Sequence, residues 1–524
     1  MSIPEGHIER MGRVTILKLG LAALSGLLIY LAFPPADIGA LAWVGLVPLF
    51  FALTQVRPMG GLALGFVFGL CFFLPFSSFM LRYGVDTWLI SAVFQCLFWG
   101  LFGLAATAGN GCLHPALRAL PMAAAYTLAA EIFRGSIGAL GFTNGDLGYT
   151  QHSQLAMLQM ASIAGHYSLG FVIAALNAVL AQTVLAIAPG LLLRPAVNPK
   201  WFAHTAAKTA LAVYVLLLLI YFWGMLVMKA DGHETGHPLS VAVVQGCVSM
   251  SKPTTAEDIK RSLETYLTLS ESIPDDVRLI VWPETSVPHP INIDESYMQR
   301  IRDLAIARDT WVLVGAPELR ETGKLYNTLY LISPDGELTG TYSKVILVPF
   351  GEYVPHRDKY KFLERFPVRK FDFTHGEGHK IVEVDGHKIG PLICFEMLFP
   401  HALWINTRMG AEIIVAATSD EWAHGTPEIA QHSYTAALRA VESRRYIIRA
   451  GTWGISGIIT PYGRFLSPVA DSTPGTAWED VYPRTELSTY HRTGDTPLLL
   501  ICFGIWFAAL VSSLMSRASR KREA

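Results

Sequence analysis

The chain has 524 residues, of which 52% are hydrophobic and only 16% charged, and its formal net charge is −1. This length is sufficient for two to four domains, and the charged fraction is well below the roughly 25% of a typical soluble protein. The near-neutral charge argues against an electrostatic surface for nucleic acid. The six cysteines lack C-x-x-C spacing, so we expect neither a zinc site nor a disulfide framework, and no metal or cofactor.

Apolar residues are concentrated in about the first 230 residues and the last thirty. A membrane-spanning helix needs about 20 mostly apolar residues. Eight segments satisfy this condition and are predicted to cross a membrane, at 15–34, 37–54, 60–80, 88–109, 115–133, 160–187, 207–228 and 497–515. The sequence therefore predicts three parts: a multi-pass membrane domain over 1–235, a water-exposed domain over 236–494, and a last span with a basic tail over 495–524.

The short loops between these segments carry most of their Lys and Arg on one side of the membrane. If all eight segments cross the membrane, the following basic residues lie on the same side of it: Arg10, Arg57, Arg118, Arg194 and the terminal Arg517 to Arg522. Positive residues accumulate in cytoplasmic loops. The sequence therefore places this side in the cytoplasm and the water-exposed domain on the opposite face.

Two charged residues, Glu131 and Arg134, stand at the end of the fifth predicted span, before a Gly-rich segment at 141–149. Ionisable groups at a membrane edge are costly unless they pair or face water. Two interpretations remain open: a local ion pair between residues i and i+3, or a water-filled cavity beneath the water-exposed domain.

From residue 240 onwards, short β-rich runs alternate with helical patterns. Strands are predicted at 241–245, 278–282, 311–315, 326–332, 338–342, 388–394, 412–416 and 446–449, and helices at about 255–273, 295–308 and 397–409. Helices between apolar strands indicate a layered α/β domain. Such folds collect their functional groups in the loops at strand ends.

The first candidate at a strand end is Glu284, which follows the apolar run Ile280-Val-Trp-Pro283. A carboxylate in this position is poorly solvated and suits the role of a general base. The alternative is an ordinary exposed glutamate in a proline-containing loop.

The second and third candidates are Lys344, at the end of a hairpin strand, and Cys394, at a strand-to-helix turn. A buried ammonium stabilises a thiolate and an oxyanion, and a thiol at a helix start gains from backbone N–H groups. The alternatives are an exposed hairpin lysine and a structural cysteine, or a disulfide between Cys394 and Cys247.

The order Glu, Lys, Cys in the contexts Trp282-Pro-Glu284 and Ile393-Cys-Phe-Glu396 resembles the carbon–nitrogen hydrolase (nitrilase) superfamily. This resemblance implies an αββα sandwich. Val348-Pro-Phe-Gly-Glu352 narrows the resemblance to the apolipoprotein N-acyltransferase family, in which such a domain is inserted before the last of eight spans. Tyr490-His-Arg-Thr-Gly-Asp495 and Gly165-His-Tyr-Ser-Leu-Gly170 extend it over nearly the whole chain.

The resemblance implies an enzyme of the bacterial inner membrane whose catalytic domain faces the periplasm. Its acyl donor would be a phospholipid, and its acceptor the α-amino group of a diacylated apolipoprotein. Cys394 would carry the acyl group as a thioester, with Glu284 as base and with Lys344 and the backbone N–H of Phe395 on the oxyanion. Glu352 and Glu396 would orient Lys344 or the amine, unless they form purely structural ion pairs.

Several positions depart from the family pattern. Where the family commonly has S-N-D-x-W-F, this chain has Thr418-Ser-Asp-Glu-Trp-Ala423, and where it has T-N-x-G, this chain has Gly451-Thr-Trp-Gly454. The departures at Ser419, Ala423 and Trp453 concern the substrate pocket rather than the covalent chemistry. They leave two alternatives open: a diverged membrane acyltransferase with another amine acceptor, and a membrane-tethered nitrilase-type amidase.

Overall fold

The computed structural model describes residues 5–110, 118–188, 199–229, 237–250, 254–357, 359 and 372–523. The chain forms two compact units by its internal contacts. The membrane unit comprises Met1–Val227 and Thr493–Ala524, and the α/β unit comprises Met228–Arg492.

Six helices among the described residues of the membrane unit are long and apolar enough to cross a membrane. These are α1 (Glu5–Leu31), α2 (Pro58–Phe76), α3 (Val85–Asn110), α5 (His166–Ile187), α6 (Pro199–Lys229) and α11 (Thr496–Glu523). Two of the eight predicted spans form shorter helices instead. The segment 37–54 contains Gly39–Leu41, Ala42–Gly45 and Val47–Ala52, and the described part of 115–133 contains α4 (Ala119–Tyr126) and a π-helical turn at Thr127–Phe133.

Helices α2 and α3 pack closely through a row of glycines. A side-chain carbon at Gly61 would lie 2.3 Å from the carbonyl oxygen of Gly103, and one at Gly65 would lie 2.0 Å from that of Trp99. Small residues spaced four apart let two apolar helices approach at backbone distance, where dispersion contacts replace the missing hydrophobic driving force.

A buried polar cluster lies beside the π-helical turn, and we call its members Glu131, Arg134, Asp146 and His166 the membrane cluster. Arg134 forms an ion pair with Asp146, whose other oxygen is 3.1 Å from Nε2 of His166. Glu131 instead accepts hydrogen bonds from the Tyr126 hydroxyl at 2.6 Å and from the Leu147 N–H at 3.1 Å. The interpretation of a local Glu131–Arg134 pair was wrong, because the chain folds back to bring Asp146 to the guanidinium.

The α/β unit contains two six-stranded sheets. The strands are β1 (Leu239–Gln245), β2 (Leu279–Val281), β3 (Trp311–Leu319), β4 (Leu325–Ile332), β5 (Leu338–Ser343), β6 (Val382–Val384), β7 (His387–Ile393), β8 (Ile413–Thr418), β9 (Ile447–Gly451), β10 (Ser456–Ile459), β11 (Phe465–Val469) and β12 (Gly475–Val481). Their orders are β12-β1-β2-β3-β4-β5 and β11-β10-β9-β8-β7-β6. In each sheet three neighbouring strands are parallel, β1 to β3 and β7 to β9, and the outer strands are antiparallel.

The two sheets pack face to face, with helices on both outer surfaces. Val241 and Val243 of β1 contribute to the core between the sheets, whereas Ala242 and Val244 pack under the helices on the outer side. This alternation follows from the two-residue period of a strand. The outer helices are α7 (Ala256–Glu271), α8 (Glu295–Ala307), α9 (Pro400–Arg408) and α10 (Glu428–Ser443). The predicted αββα sandwich joined to an apolar helical region is therefore confirmed.

Candidate active site

Three strand ends of the α/β unit bring Glu284, Lys344 and Cys394 to one buried location. Glu284 follows β2, Lys344 directly follows β5, and Cys394 directly follows β7. Their exposed fractions are 5%, 1% and 7%. The charges of Glu284 and Lys344 both act on the Cys394 thiol, so the three groups lie within electrostatic reach of one another.

Glu284 is held in place by three donors. Its Oε1 accepts hydrogen bonds from Nδ2 of Asn327 at 2.6 Å and from Nζ of Lys344 at 3.2 Å. Its Oε2 accepts one from the Ser419 N–H at 2.7 Å. The loop that carries Glu284 lies close to β3, because a side-chain carbon at Gly315 would stand 2.3 Å from the carbonyl oxygen of Pro283. The carboxylate is therefore fixed in orientation while further lone-pair positions stay available.

Lys344 stands between two buried carboxylates. Its Nζ lies 3.2 Å from Glu284 and 3.0 Å from Glu352. Burial disfavours the ammonium, but the charges of Glu284 and Glu352 outweigh this effect and raise the pKa of Lys344 above its ordinary value. The side chain is therefore a permanent cation at neutral pH.

Glu352 is held from two sides. Its Oε1 accepts from Asn327 at 3.0 Å, and its Oε2 accepts from the Val348 N–H at 2.8 Å. Burial acts to raise the pKa of Glu352, but the Lys344 charge and the Val348 N–H outweigh it, so the pKa lies below its ordinary range. We call Glu284, Lys344 and Glu352 the catalytic cluster.

Cys394 begins a short 3₁₀-helix, Cys394–Leu398, in a left-handed conformation with φ of 51°. Non-glycine residues adopt this region rarely, and it turns the thiol out of the line of β7. Burial and the charge of Glu284 raise the pKa of the thiol, while Lys344 and a hydrogen bond with Thr418 act in the opposite direction. Cys247 and Cys394 are both free thiols, so the structure does not support the alternative of a disulfide between them.

Glu396 has a different environment from the one that its spacing suggested. Its carboxylate accepts hydrogen bonds from the Tyr342 hydroxyl and from the backbone N–H groups of Val345, Ile346 and Ile393, all between 2.8 and 3.0 Å. Burial raises the pKa of Glu396. This residue ties the segment after Lys344 to the strand before Cys394. Phe395 packs edge-on against Phe399 with 4.9 Å between ring centroids.

Sequence reasoning missed two contributors to the site: Asn327, whose amide donates to Glu284 and Glu352, and Asp420, whose charge acts on the Cys394 thiol. Asn327 lies within the buried strand β4, where a polar side chain needs a partner, and this signal was available in the sequence. Ser419 was singled out only as a departure from a family pattern, yet its backbone N–H contacts Glu284. That contact does not depend on the side chain, so the departure leaves it intact.

Comparisons with known proteins first define the class. Residues 240–485 match the carbon-nitrogen hydrolase family, and residues 25–179 match the apolipoprotein N-acyltransferase N-terminal domain. An amidase of known structure from Nesterenkonia sp. is 18% identical, with a TM-score of 0.38 over 51% of this chain and 98% of the amidase. The family match over residues 240–485 identifies the α/β unit as a carbon-nitrogen hydrolase domain.

Relatives over most of the length then identify the family. An apolipoprotein N-acyltransferase from Geobacter metallireducens is 31% identical over 466 residues, which cover 86% of this chain and 87% of the relative. One from Pseudomonas putida is 30% identical over 517 residues, covering 92% and 94%. The chain belongs to the apolipoprotein N-acyltransferase family, as the sequence motifs indicated.

Proposed function

We propose that this protein moves an acyl chain from a membrane phospholipid, through a thioester on Cys394, to the α-amino group of the diacylglyceryl-cysteine of a lipoprotein. Family membership supports the acyltransferase reaction and both substrates. The arrangement of Glu284, Lys344 and Cys394 supports the assignment of the chemistry to these residues.

The observation that carries this proposal is the position of Lys344. An ammonium has three N–H donors, and within the part of the chain that the structure describes, the Lys344 donors contact only Glu284 and Glu352. Both carboxylate oxygens of Glu352 lie 3.0 Å from Nζ of Lys344, so the two carboxylates hold the ammonium in place. A buried cation held in this way beside a thiol is suited to stabilise an oxyanion in a site of low polarity.

In the first half-reaction, Glu284 accepts the proton of the Cys394 thiol as the sulfur attacks the ester carbonyl carbon of the phospholipid. The carbonyl oxygen becomes an oxyanion, which Lys344 and the backbone N–H of Phe395 stabilise. The C–O bond then breaks, and the leaving oxygen takes the proton from Glu284. Lysophospholipid departs, and the acyl group remains as a thioester.

In the second half-reaction, the lipoprotein amine attacks the thioester carbonyl, and Glu284 accepts a proton from the nitrogen. The C–S bond breaks as the amide forms, and the sulfur recovers a proton from Glu284. The thiol, the carboxylate and the cation are then in their starting states, so the cycle consumes no cofactor.

The apolar helices suit substrates that are lipids. Removing an acyl chain from a bilayer costs about 0.8 kcal/mol per CH₂ group, so a membrane-bound enzyme avoids this cost by leaving the chains in hydrocarbon. We propose that the α/β unit lies on the extracytoplasmic side of a bacterial inner membrane, on the charge bias of the loops.

The test is intact-mass analysis of the purified full-length protein after mixing with phospholipid vesicles. We expect a mass increase of one acyl chain that hydroxylamine removes, absent in Cys394→Ala and retained in Cys247→Ala, which removes the other cysteine of the α/β unit. A reduced Cys394 that acquires no acyl group would contradict the proposed function.

A second arm adds a synthetic diacylated lipopeptide to the acylated protein. We expect the acyl group to move to the peptide's α-amino group, as detected by tandem mass spectrometry. Release of free fatty acid instead would indicate an amidase-like hydrolase. An adduct that persists with the lipopeptide but is discharged by another amine would indicate a diverged acceptor.

A further inference from the structure

A second buried charged group lies next to the catalytic cluster, and no step of the proposed reaction uses it. Asp420 follows β8, Arg449 lies in β9, and His432 lies in α10, and all three are at most 4% exposed. Nη2 of Arg449 is 2.8 Å from Oδ2 of Asp420, and Nδ1 of His432 is 2.9 Å from its Oδ1.

Asp420 has almost no freedom to move. Its N–H donates to Oγ1 of Thr452 at 3.1 Å, and Arg449 is itself held by the carbonyl of Ile455 at 2.6 Å. A side-chain carbon at Gly454 would stand only 2.1 Å from Oδ2 of Asp420, so the backbone closes tightly around the carboxylate. A buried carboxylate with this many partners is anchored rather than mobile.

The segment Thr418–Asp420 touches both proton-exchanging groups of the proposed reaction. Ser419 donates its backbone N–H to Oε2 of Glu284 at 2.7 Å, and hydrogen bonding by the Thr418 hydroxyl acts to lower the pKa of the Cys394 thiol. The same hydroxyl donates to Oδ1 of Asp420 at 3.1 Å. Because a hydroxyl has one proton, Thr418 donates it either to Asp420 or to the ionised sulfur of Cys394.

We propose that Asp420, held by Arg449 and His432, is a positioning residue for acyl transfer, which aligns Glu284 through Ser419 and Cys394 through Thr418. This inference rests on the proposed function, since alignment matters only if these two groups exchange a proton. Displacements of about 1 Å between reacting groups reduce rates by about a hundredfold.

The charge of Asp420 has a second, opposite effect on the thiol. The charged groups that act on Cys394 are Glu284, Lys344 and Asp420, and both carboxylates oppose ionisation. Replacing Asp420 by asparagine therefore favours the thiolate, since it removes a negative charge and frees the Thr418 proton. These two opposite effects distinguish a loss of positioning from a loss of folding. Acyl transfer by Asp420→Asn is expected to slow, while its Cys394 thiol ionises more readily.

The experiment measures two rates on full-length protein in detergent: acylation of Cys394 by phospholipid, and alkylation of Cys394 by iodoacetamide, quantified on its peptide. For Asp420→Asn we expect acylation to fall about a hundredfold. We expect alkylation at about pH 8 to rise about tenfold, with its pH midpoint lowered by about one unit. The control is Asp335→Asn, an exposed hairpin position, which should change neither rate.

A second variant distinguishes the loss of the Asp420 charge from the loss of its anchoring, and it also provides a test if Asp420→Asn does not fold. His432→Leu removes one anchor but keeps the Asp420 charge, so acylation should fall without a rise in alkylation, and His432→Asn should restore part of the acylation rate. If the wild type acylates and both Asp420→Asn and His432→Leu match it in both rates, positioning by Asp420 is overturned. A wild type that alkylates but never acylates contradicts the proposed function instead.

Discussion

The membrane unit and the α/β unit each bury a cluster of charged side chains, and the two clusters differ in the kind of group that holds the cation. In the membrane cluster, each of the five N–H groups of Arg134 has an acceptor. These acceptors are the backbone carbonyls of Ala130, Thr143 and Asn144, the side-chain oxygen of Gln95, and a carboxylate oxygen of Asp146. Nothing on this cation is left for a substrate.

In the catalytic cluster the cation is held by carboxylates alone. Among the described residues, Nζ of Lys344 contacts Oε1 of Glu284 and both carboxylate oxygens of Glu352. The comparison teaches that burial of charge alone does not indicate catalysis, since both clusters are buried. A cation that is held by ionisable groups next to a thiol is the more informative feature.

The largest effect is expected at the cation of the catalytic cluster. Lys344→Met leaves the buried Glu284 and Glu352 carboxylates without a counter-charge, which costs about 3–5 kcal/mol of unfolding free energy. Removing an oxyanion donor also slows acyl-enzyme formation by about 10²–10³-fold. Thermal unfolding and intact-mass kinetics measure the two effects. The exposed Lys324→Met is the control, and a wild-type acylation rate in Lys344→Met would remove Lys344 from the mechanism.

The corresponding change in the membrane cluster should affect stability alone. Arg134→Met strands Asp146 in a buried site, so the unfolding free energy should fall by about 3–5 kcal/mol. Acyl-enzyme formation by the folded fraction should stay within about twofold of wild type, since every Arg134 donor is used structurally. Thermal unfolding in detergent checks the first point, with the exposed Arg82→Met as control. An unchanged unfolding free energy in Arg134→Met would show that the membrane cluster does not stabilise the fold.

A smaller effect is expected at the second carboxylate of the catalytic cluster. In Glu352→Gln, the amide NH₂ group must face either Lys344 or the Val348 N–H, and both of these are donors. One charge-assisted hydrogen bond, which contributes about 1.5–3 kcal/mol, is therefore lost. Acyl-enzyme formation should therefore slow by about 10–150-fold. Single-turnover kinetics test this, with the exposed Glu337→Gln as reference. If acylation is unaffected while discharge to the lipopeptide slows, Glu352 acts on the amine instead.

The smallest effect is expected at Glu131 of the membrane cluster. Its Oε1 accepts both hydrogen bonds, while Oε2 has no hydrogen-bond partner among the described residues. Glu131→Gln keeps the accepting oxygen, so the unfolding free energy should change by no more than about 1 kcal/mol. The isosteric Glu284→Gln, by contrast, should abolish acylation. A large loss of activity in Glu131→Gln would mean that the membrane cluster takes part in the reaction.

Much of the fold was predictable because the signals are local. The predicted strands at 326–332 and 388–394 correspond to β4 and β7, and the predicted helices at 255–273 and 295–308 correspond to α7 and α8. Strands β6, β10, β11 and β12 were missed. Pro468 interrupts β11, and Glu479 and Asp480 weaken the apolar pattern of β12. Helix α10 was missed because its inward face carries Arg439 and Glu442, both fully buried as an ion pair.

The sequence by itself determined the two environments, the layered α/β class and the three strand-end residues Glu284, Lys344 and Cys394. These follow from hydrophobic periodicity and from short motifs, which are properties of neighbouring residues. Only the tertiary structure decided which partners those residues meet. Asn327 and Ser419 reach Glu284, Glu396 binds backbone N–H groups, and Arg134 pairs with Asp146. The partners of these buried charges lie in distant parts of the chain, so they cannot be predicted from neighbouring residues. Close packing excludes water, and each buried charge then needs a protein partner.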